Sequence, residues 1–437
     1  MKSKNIKEIR KILQEVLKKI KISEKERKEI EKKIKEFKKQ MMPYLKKINA
    51  KFFVGGSFAK HTLIKKSSYE YDIDIFIRFP LRYKEKNISK ILENIIKKRF
   101  RYSKLKGSRD YFQVRFKNLK FELIPILDIK RAEQASNIID VSPLHVFYVL
   151  SKVKEKQGIA DEICLAKSFC YAQNCYGAES YIKGFSGYAL ELLVIYYKSF
   201  LNFIKKASTW NENKKVIIDI EGYYKSKEEV LTEINEAKLQ APIVLIDPVQ
   251  PNRNVCAALS HEVYARFIKA CKAFLSNPSI NFFFKQEVNI EKLKEKARRL
   301  KARFAVIVAK SKKRKKDVAG SKLKKFFDFL TFYLEKNGFN LLFKNFEFDE
   351  KKTEARYYFI FKEPKKQYLV EGPPLSVGKK FTEAFKKKWK KVFERNGRLY
   401  AKATRKFTKI EKFLESLKKD KLFKEMKMKD LRLEKVF

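Results

Sequence analysis

The chain has few of the residues that build metal clusters or disulfide frameworks, with three histidines and five cysteines among 437 residues. The cysteines form no C-x-x-C pair and the histidines do not cluster near them, so a zinc site and a disulfide-stapled fold are both disfavoured. We expect buried, reduced thiols in a cytoplasmic protein.

Long apolar runs are also missing. No stretch approaches the ~20 apolar residues that a membrane-spanning helix needs. The charged segment Met1–Lys46 does not have the pattern of a signal peptide. We therefore expect no membrane partner.

Acidic residues are scarce relative to basic ones, with 51 Asp and Glu against 103 Lys and Arg and a formal net charge of +52. So large an excess favours a polyanionic partner, and nucleic acid is the natural candidate. The alternative explanation of the charge is that all proteins of the organism are rich in lysine, as in a hot habitat. A hot habitat would raise the content of Glu together with that of Lys, whereas here the basic residues far outnumber the acidic ones. The length allows roughly two to four domains.

The periodic segments, taken in order, predict an α+β protein of several domains. Residues 6–41 have helical periodicity, and Ser23 with Glu26 predicts a capping box that opens a second helix. Strands follow, with one helix near Ile88–Lys98. The predicted strands are Lys51–Val54, Tyr71–Phe79, Tyr111–Phe116 and Phe121–Leu127.

The rest of the chain divides into a helical part, about residues 143–274, and a second α+β part. After residue 292 the pattern predicts strand, helix, strand, strand, which is typical of a small sheet with a helix on one face. These segments are Phe304–Val308, Lys322–Lys336, Leu341–Phe348 and Ala355–Phe361. A basic helical tail is predicted from Lys379. We place domains at residues 1–145, 146–275 and 276–437.

Two carboxylates in an apolar strand follow a turn of small residues. Asp72 comes fifteen residues after Ser57 of the turn Gly55-Gly56-Ser57, and Asp74 shares its face because side chains alternate along a strand. Adjacent carboxylates repel unless a cation lies between them, and Mg²⁺ takes oxygen ligands while keeping positions open for phosphate. The turn offers N–H groups and a hydroxyl to phosphates. Together these features predict nucleotidyl transfer.

Glu122 is the candidate for a third carboxylate. It is the one acid in the apolar strand Phe121–Leu127, and a buried carboxylate is costly without a cation nearby. Two alternatives stay open. The pair could be Glu70 and Asp72, which share a face, or the acids could be salt-bridged to lysines on an edge strand.

Gly56-Ser57 with Asp72-Ile73-Asp74 resembles the signature of the DNA polymerase β-like nucleotidyltransferase superfamily. The spacing is slightly long for that superfamily, which predicts a small insertion in the loop Phe58–Tyr71. Further segments are similar to the archaeal (class I) CCA-adding tRNA nucleotidyltransferases. These segments are residues 137–145, 176–193, 247–260 and Glu371-Gly372-Pro373-Pro374.

The resemblance implies a fold and a reaction. The fold would be a nucleotidyltransferase palm with a mixed sheet and flanking helices, a helical central domain, and a C-terminal α+β body with a basic helical tail that binds RNA. Asp72, Asp74 and Glu122 match the family's metal-binding carboxylates, with the acidic types rearranged, and would bind Mg²⁺. The partners would be tRNA, CTP and ATP, with a homodimer left open.

Seven further residues match the family's nucleotide contacts. They are Gly56, Ser57, Lys60, His145, Lys167, Tyr176 and Arg253. Lys60 stands where an Arg is common, and a Lys lacks the bidentate fork. Arg253 would present hydrogen-bond partners to the incoming base. Lys167 could instead be a solvated helix lysine, Tyr176 a helix cap, and His145 a structural histidine.

Aromatic residues spaced four apart and separated by lysines mark the predicted tail helix. They are Phe381, Phe385, Trp389 and Phe393. We expect the aromatic stripe to pack in a core and the lysines to meet phosphates, which position RNA without reading its sequence. The rival functions are a poly(A) polymerase-like transferase with the same acids and a non-catalytic RNA-binding protein.

Overall fold

The computed structural model describes residues 3–65, 71–312 and 316–437, with the side chains of residues 3–5 and 316 left out. The chain forms two compact units. The first comprises Met1–Ala178 and Ile182–Gln286, and the second Glu179–Tyr181 and Glu287–Phe437. Glu70 and part of the predicted insertion, residues 66–70, lie outside the described residues.

Two helices open the first unit, α1 (Ser3–Ile20) and α2 (Glu24–Lys47). The predicted capping box is confirmed, because the Glu26 N–H donates to Ser23 Oγ at 3.2 Å and the Ser23 N–H donates to Glu26 Oε2 at 2.7 Å. One face of α2 packs against the following sheet. Its buried residues are Ile30, Ile34, Phe37, Met41 and Leu45.

A five-stranded sheet of order β1-β2-β5-β4-β3 carries the predicted carboxylates. This region contains β1 (Lys51–Val54), α3 (Gly56–Ala59), β2 (Asp72–Phe79), α4 (Ile88–Ile96), β3 (Tyr102–Leu105), β4 (Tyr111–Phe116) and β5 (Leu119–Leu127). Strands β2 and β5 are parallel and the other pairs antiparallel, so the sheet is mixed, as predicted. Ile73, Ile75 and Ile77 are fully buried, which leaves Asp72 and Asp74 on the opposite face.

The remainder of the first unit is mainly helical, as predicted. It contains α5 (Ser142–Glu155), α6 (Ile159–Ala172), α7 (Gly187–Tyr197), α8 (Phe200–Ala207), β6 (Val216–Ile218), α9 (Lys227–Glu233), β7 (Ile243–Asp247), β8 (Gln250–Asn254) and α10 (His261–Ser276). The small sheet β6-β7-β8 was not predicted. Fully buried phenylalanines join α6, α8 and α10, namely Phe169, Phe200, Phe203, Phe267 and Phe274.

The second unit is an α+β unit with two sheets. It contains α11 (Ile290–Arg299), β9 (Arg303–Ser311), α12 (Lys316–Lys336), β10 (Asn340–Asp349), β11 (Glu354–Lys362), β12 (Gln367–Pro374), α13 (Lys379–Lys388), β13 (Val392–Arg395), β14 (Arg398–Thr404), α14 (Ile410–Lys419), α15 (Lys421–Glu425) and β15 (Met428–Val436). The predicted strand-helix-strand-strand order is confirmed by β9, α12, β10 and β11. The sheets have orders β10-β11-β9-β15 and β12-β14-β13.

The predicted basic helical tail is only partly confirmed, because α13 ends at Lys388 and the strands β13, β14 and β15 share the rest of the tail with α14 and α15. Strand β13 pairs with β14 across Asn396-Gly397, whose φ angles of 50° and 69° are those of a two-residue hairpin turn. The predicted aromatic stripe is therefore divided between α13 and β13. Phe381 is 57% exposed rather than packed in a core.

Two composition-based predictions can be compared with the structure. All five cysteines are buried and carry free thiols, which confirms the prediction of buried, reduced cysteines. Among the residues that the structure describes, no helix has both the length and the apolar character to span a membrane.

Candidate active site

The pairing of β2 with β5 brings the predicted carboxylates together. The two strands run parallel, with Asp74 opposite Glu122 and Asp72 opposite Lys120. Partners in register lie side by side on one face of a sheet, so Asp74 and Glu122 are neighbours and Asp72 is the next residue along that face. Strand β2 lies between β1 and β5, so the edge-strand position in that alternative is wrong, whereas its salt bridge to a lysine is present at Asp72.

Positive and polar side chains hold two of these carboxylates. Lys120 Nζ lies 2.6 Å from Asp72 Oδ1 and 3.8 Å from Glu122 Oε1. Gln113 Nε2 donates to Glu122 Oε1 at 2.7 Å. Burial and then the charge of Glu122 raise the pKa of Asp74 to about 7. The ionised form of Asp74 is therefore disfavoured, and additional positive charge nearby would stabilise it.

The donor chemistry of this site fits a divalent cation. Carboxylate oxygens are the ligands that Mg²⁺ prefers, and a cation would offset both the burial and the repulsion from Glu122 that raise the pKa of Asp74. Across residues 3–65, 71–312 and 316–437, no three Asp, Glu, His or Cys side chains converge closely enough to hold an ion as they stand. Asp72 is turned towards Lys120, so the three-carboxylate set stays a prediction.

Gly56 sets how closely the turn approaches the acids. Its φ is +61°, and a Cβ at this position would lie 1.7 Å from Asp74 Oδ2. The adjacent Gly55 N–H donates to the Asp74 carbonyl oxygen at 2.9 Å. The turn therefore lies directly against the Asp74 carboxylate, with Ser57 in the first turn of α3. Only a glycine satisfies both the backbone angle and this contact.

Lys60 and Lys167, predicted separately as nucleotide contacts, meet at one carboxylate. Glu191 Oε2 lies 2.6 Å from Lys60 Nζ, and Glu191 Oε1 lies 2.7 Å from Lys167 Nζ. Lys167 also donates to Thr62 Oγ1 at 2.8 Å. Lys167 is 3% exposed, so the interpretation as a solvated helix lysine is wrong.

Tyr176 lies beside this lysine cluster. A Cβ placed on Gly187 would lie 3.1 Å from the Tyr176 hydroxyl and 3.9 Å from Lys167 Nζ, so the two groups border the same glycine. Although burial alone would raise it, the charges of Lys167 and Lys60 hold the pKa of Glu191 at about 2. Glu191 is therefore ionised between its two lysines.

A second cluster joins His145 and Arg253 through Asp247 at the end of β7. Asp247 Oδ2 lies 2.9 Å from His145 Nε2 and accepts a hydrogen bond from Arg253 Nη1 at 2.7 Å, while Asp247 Oδ1 accepts from the Tyr188 hydroxyl at 3.1 Å. A lone pair on His145 Nε2 would repel the carboxylate, so this nitrogen carries the proton. The His145 and Tyr188 rings lie 4.2 Å apart.

The charges of this cluster are balanced within it. Burial lowers the pKa of His145, which keeps the imidazole neutral beside Arg253. Burial would raise the pKa of Asp247, but the His145 hydrogen bond and the charge of Arg253 hold it below its usual range. Asp247 thus fixes the direction of Arg253, which is 28% exposed.

Comparisons with known proteins identify the family of this chain. A family model described as tRNA nucleotidyltransferase, second domain, matches residues 161–284, and one for the Second Messenger Oligonucleotide or Dinucleotide Synthetase domain matches residues 8–140. The chain is 36% identical to the CCA-adding enzyme of Nanoarchaeum equitans, over 84% of this chain and 88% of that protein. The chain belongs to the archaeal CCA-adding enzyme family. The corresponding enzyme of Methanocaldococcus jannaschii is 31% identical, over 81% of this chain and 78% of that protein.

A solved structure shares the nucleotidyltransferase-like fold of this family member. The structure of Cid1, described for its RNA terminal uridylyl transferase activity, superposes with a TM-score of 0.50 and 16% identity, over 65% of this chain and 99% of that one. At this identity the likeness concerns the fold alone.

Three residues of these two clusters have no role predicted from the sequence, namely Asp247, Tyr188 and Glu191. Glu191 stands alone among Leu190, Leu192 and Leu193 of α7, which is the same signal that singled out Glu122. Asp247 ends the apolar strand β7 and precedes a proline. A search for acids in apolar segments would have found both.

Proposed function

We propose that this protein adds the sequence CCA to the 3′ end of tRNA without a template, taking CTP and ATP and releasing pyrophosphate. The observation that carries the proposal is the 36% identity to a CCA-adding enzyme across 84% of the chain. The neighbouring acids of β2 and β5 support nucleotidyl transfer, because that chemistry needs positioning and charge stabilisation rather than a protein nucleophile.

Each cluster has a role in this proposal. The turn at Gly56 and Ser57, with Lys60, Lys167 and Tyr176, would hold the triphosphate, since these groups are hydrogen-bond donors and the turn lies against Asp74. Ammonium groups in a buried setting bind phosphate strongly. Gly56 would therefore link the proposed metal site to the proposed phosphate contacts. It lies against the Asp74 carboxylate, and the short helix that it begins ends at Lys60.

Asp72, Asp74 and Glu122 would hold Mg²⁺, the hard cation that suits an all-oxygen donor set. Two bound ions would lower the pKa of the tRNA 3′-hydroxyl and neutralise the leaving pyrophosphate. The chain's own contribution is to fix the carboxylates on adjacent strands and Lys60 at the end of the short helix that begins at Gly56.

The domain division into residues 1–145, 146–275 and 276–437 is part of the proposal. The limits of the two family models, residues 8–140 and 161–284, support a catalytic head followed by a helical neck. The homodimer and the cytoplasmic location stay predictions.

Nucleotide requirements test the proposed function. With tRNA that ends before CCA, CTP alone should give addition of two residues, and ATP alone should give none. Long adenosine tails from ATP alone would favour the poly(A) polymerase-like alternative and contradict CCA addition.

Arg253 is predicted to determine base selection. Replacing it with methionine (Arg253→Met) removes the donor held by Asp247, while His145 and Tyr188 remain as partners of that carboxylate. A hydrogen bond to a charged donor contributes about 1.5–3 kcal/mol, so the preference for CTP over UTP in kcat/KM should fall by about 10- to 100-fold.

The matched control is Arg266→Met, which removes an arginine of α10 that is 41% exposed and paired with Glu262. It should leave the ratio of kcat/KM for CTP and UTP at the parental value. An unchanged ratio in Arg253→Met would remove Arg253 from base selection.

Lysines at the end of α13 are predicted to contact tRNA phosphates. All five are exposed, namely Lys386, Lys387, Lys388, Lys390 and Lys391. Removing residues 379–437 would be a poor test, because β15 pairs with β9 and α14 lies in the core of the second unit. Replacing the five lysines with glutamine should weaken tRNA binding and reduce its salt dependence, by a slope of about 0.9 per lost phosphate contact with duplex.

A variant with the same charge change serves as the control for this lysine variant. It replaces five exposed lysines of the same unit, namely Lys412, Lys418, Lys419, Lys424 and Lys429. Titration of labelled tRNA over a series of salt concentrations measures both variants. Equal losses of tRNA affinity in the two variants would mean that the lysines at the end of α13 contribute to tRNA binding only through the net charge of the protein.

A further inference from the structure

A buried carboxylate bridges the two lysines that face the catalytic acid. Glu191 is fully buried, and Lys60 and Lys167 are 8% and 3% exposed. Each lysine takes a different carboxylate oxygen, at 2.6 and 2.7 Å. The three residues come from different elements, because Lys60 follows α3, Lys167 is on α6 and Glu191 is on α7. Glu191 is thus the point at which these elements are tied together.

The cluster carries more positive than negative charge. Two ammonium groups share one carboxylate, and Thr62, the other hydrogen-bond partner of Lys167, is neutral. An ammonium group can donate three hydrogen bonds, so Glu191 and Thr62 leave both lysines with further donor capacity. A buried excess of positive charge with spare donors is suited to an anion of several oxygens.

The cluster is directed at the reaction centre. The Lys60 N–H donates to the Gly56 carbonyl oxygen at 3.4 Å. Lys60 follows the turn whose Gly56 contacts Asp74, and Lys167 borders Gly187 together with the Tyr176 hydroxyl. The triphosphate of a nucleotide that reacts at Asp74 would therefore lie within reach of the Lys60 and Lys167 ammonium groups and the Tyr176 hydroxyl.

Fold stability alone gives little reason for a carboxylate at this position. The neighbouring Leu190, Leu192 and Leu193 are fully buried, and replacing buried ionic groups with packed apolar ones is often neutral or stabilising. Lysine side chains are long and flexible, so two of them keep a fixed geometry only if a common partner holds them.

We infer that Glu191 is a positioning residue that holds the Lys60 and Lys167 ammonium groups in the geometry that receives the nucleotide triphosphate. Glu191 acts through the lysines and does not itself touch the nucleotide. The inference rests on the proposed nucleotidyl transfer at this site and adds to it the residue that organises the phosphate contacts.

Steady-state kinetics of Glu191→Gln test this role. The amide keeps the shape of the side chain but loses the charge that holds two ammonium groups together. The KM for CTP and for ATP should rise about 10-fold, with a smaller change in kcat and no change in the KM for tRNA. Inhibition by inorganic tripolyphosphate, which carries no base or sugar, should weaken by a similar factor.

The control variant is Glu162→Gln. Glu162 is a partly buried acid of the same unit whose carboxylate accepts the Phe200 N–H at 2.7 Å, so its loss affects structure without reaching the lysines. It should leave the KM for both nucleotides and the inhibition by tripolyphosphate unchanged. An equal rise in KM in Glu162→Gln and Glu191→Gln would overturn the positioning role.

Two further variants cover the case in which Glu191→Gln does not fold. Thr62→Val removes one partner of Lys167 without burying a new charge and should raise the KM for nucleotides by about two- to fourfold. In a Lys60→Met/Lys167→Met background, Glu191→Gln should add no further rise, because residues that act through one another are not additive.

The failures of the two proposals can be told apart. A parent protein that incorporates neither CMP nor AMP into tRNA would overturn the proposed function and the inference with it. An active parent whose KM for nucleotides is unchanged or lowered by Glu191→Gln, or unchanged by Thr62→Val, would overturn the positioning role alone.

Discussion

Replacing Asp72 and Asp74 together with asparagine is expected to reduce nucleotide incorporation into tRNA by at least about 10³-fold while leaving tRNA affinity unchanged. The two residues are the acidic positions of β2 on the face that also carries Glu122. An amide has the shape of a carboxylate but no charge with which to hold a divalent ion, and metal-ion stabilisation supplies most of the catalysis in phosphoryl transfer. Labelled CTP incorporation and tRNA titration measure the two quantities.

The control for this variant is Asp110→Asn with Asp128→Asn. Both aspartates belong to the same region of the first unit and lie in ion pairs, Asp110 with Lys104 at 3.4 Å, and Asp128 with Lys51 at 2.8 Å and with Arg78. The control therefore matches the number and type of changes away from the proposed metal site, and it should stay active. Full activity of the Asp72→Asn/Asp74→Asn protein would favour the non-catalytic RNA-binding alternative.

Gly56→Ala is expected to lower incorporation by more than about 10²-fold. A methyl group at this position would lie 1.7 Å from Asp74 Oδ2, so either the carboxylate or the turn must move. A displacement of about 1 Å at a reaction centre can cost about 10²-fold in rate. The effect should appear in kcat, whereas binding of tRNA should be unaffected. Single-turnover incorporation separates the two.

Gly158→Ala is a matched control for backbone strain. Gly158 precedes α6 with a φ of +84°, and a Cβ there meets nothing within 4 Å. Both alanine variants place a side chain on a left-handed backbone, which costs about 1–3 kcal/mol. Only Gly56→Ala also displaces Asp74. A similar loss of activity in both variants would mean that strain, rather than the position of the carboxylate, is responsible.

The sheet that carries the acids could be predicted because its signal is local. Ile73, Ile75 and Ile77 share one face of the strand, and Asp72 and Asp74 alternate with the first two of them, so the segment itself locates the strand and the face of the acids. The predicted and observed bounds of β1 and β4 are the same. The turn Gly55-Gly56-Ser57 and the acids of this sheet can also be recognised in the sequence, because each stands in a short segment with a distinct pattern.

The tail shows where local periodicity is ambiguous. A spacing of four residues between aromatic side chains fits one face of a helix. Here the same spacing continues past the end of α13 into strand β13, so it does not identify a helix by itself. The Asn396-Gly397 pair was the stronger signal, because it favours a hairpin with φ above zero at both positions. Leu399, Ala401 and Ala403 then alternate as the buried face of β14.

The side-chain clusters of the site depend on contacts between distant parts of the chain. His145 and Asp247 are 102 residues apart, and Lys60 and Glu191 are 131 residues apart. The sequence and the family resemblance identified one partner in each pair, since those residues match nucleotide contacts. The sequence marks Glu191 and Asp247 as acids in apolar segments, but the residues that each of them holds depend on how distant elements pack together.

Sequencing the product made from tRNA that ends before CCA, with all four nucleoside triphosphates and Mg²⁺ present, tests the central claim most directly. The account predicts that the parent protein adds C, C and A and then stops, and that the Asp72→Asn/Asp74→Asn protein adds nothing. Long adenosine tails, incorporation of U or G at the three positions, or the same product from the double variant would contradict it.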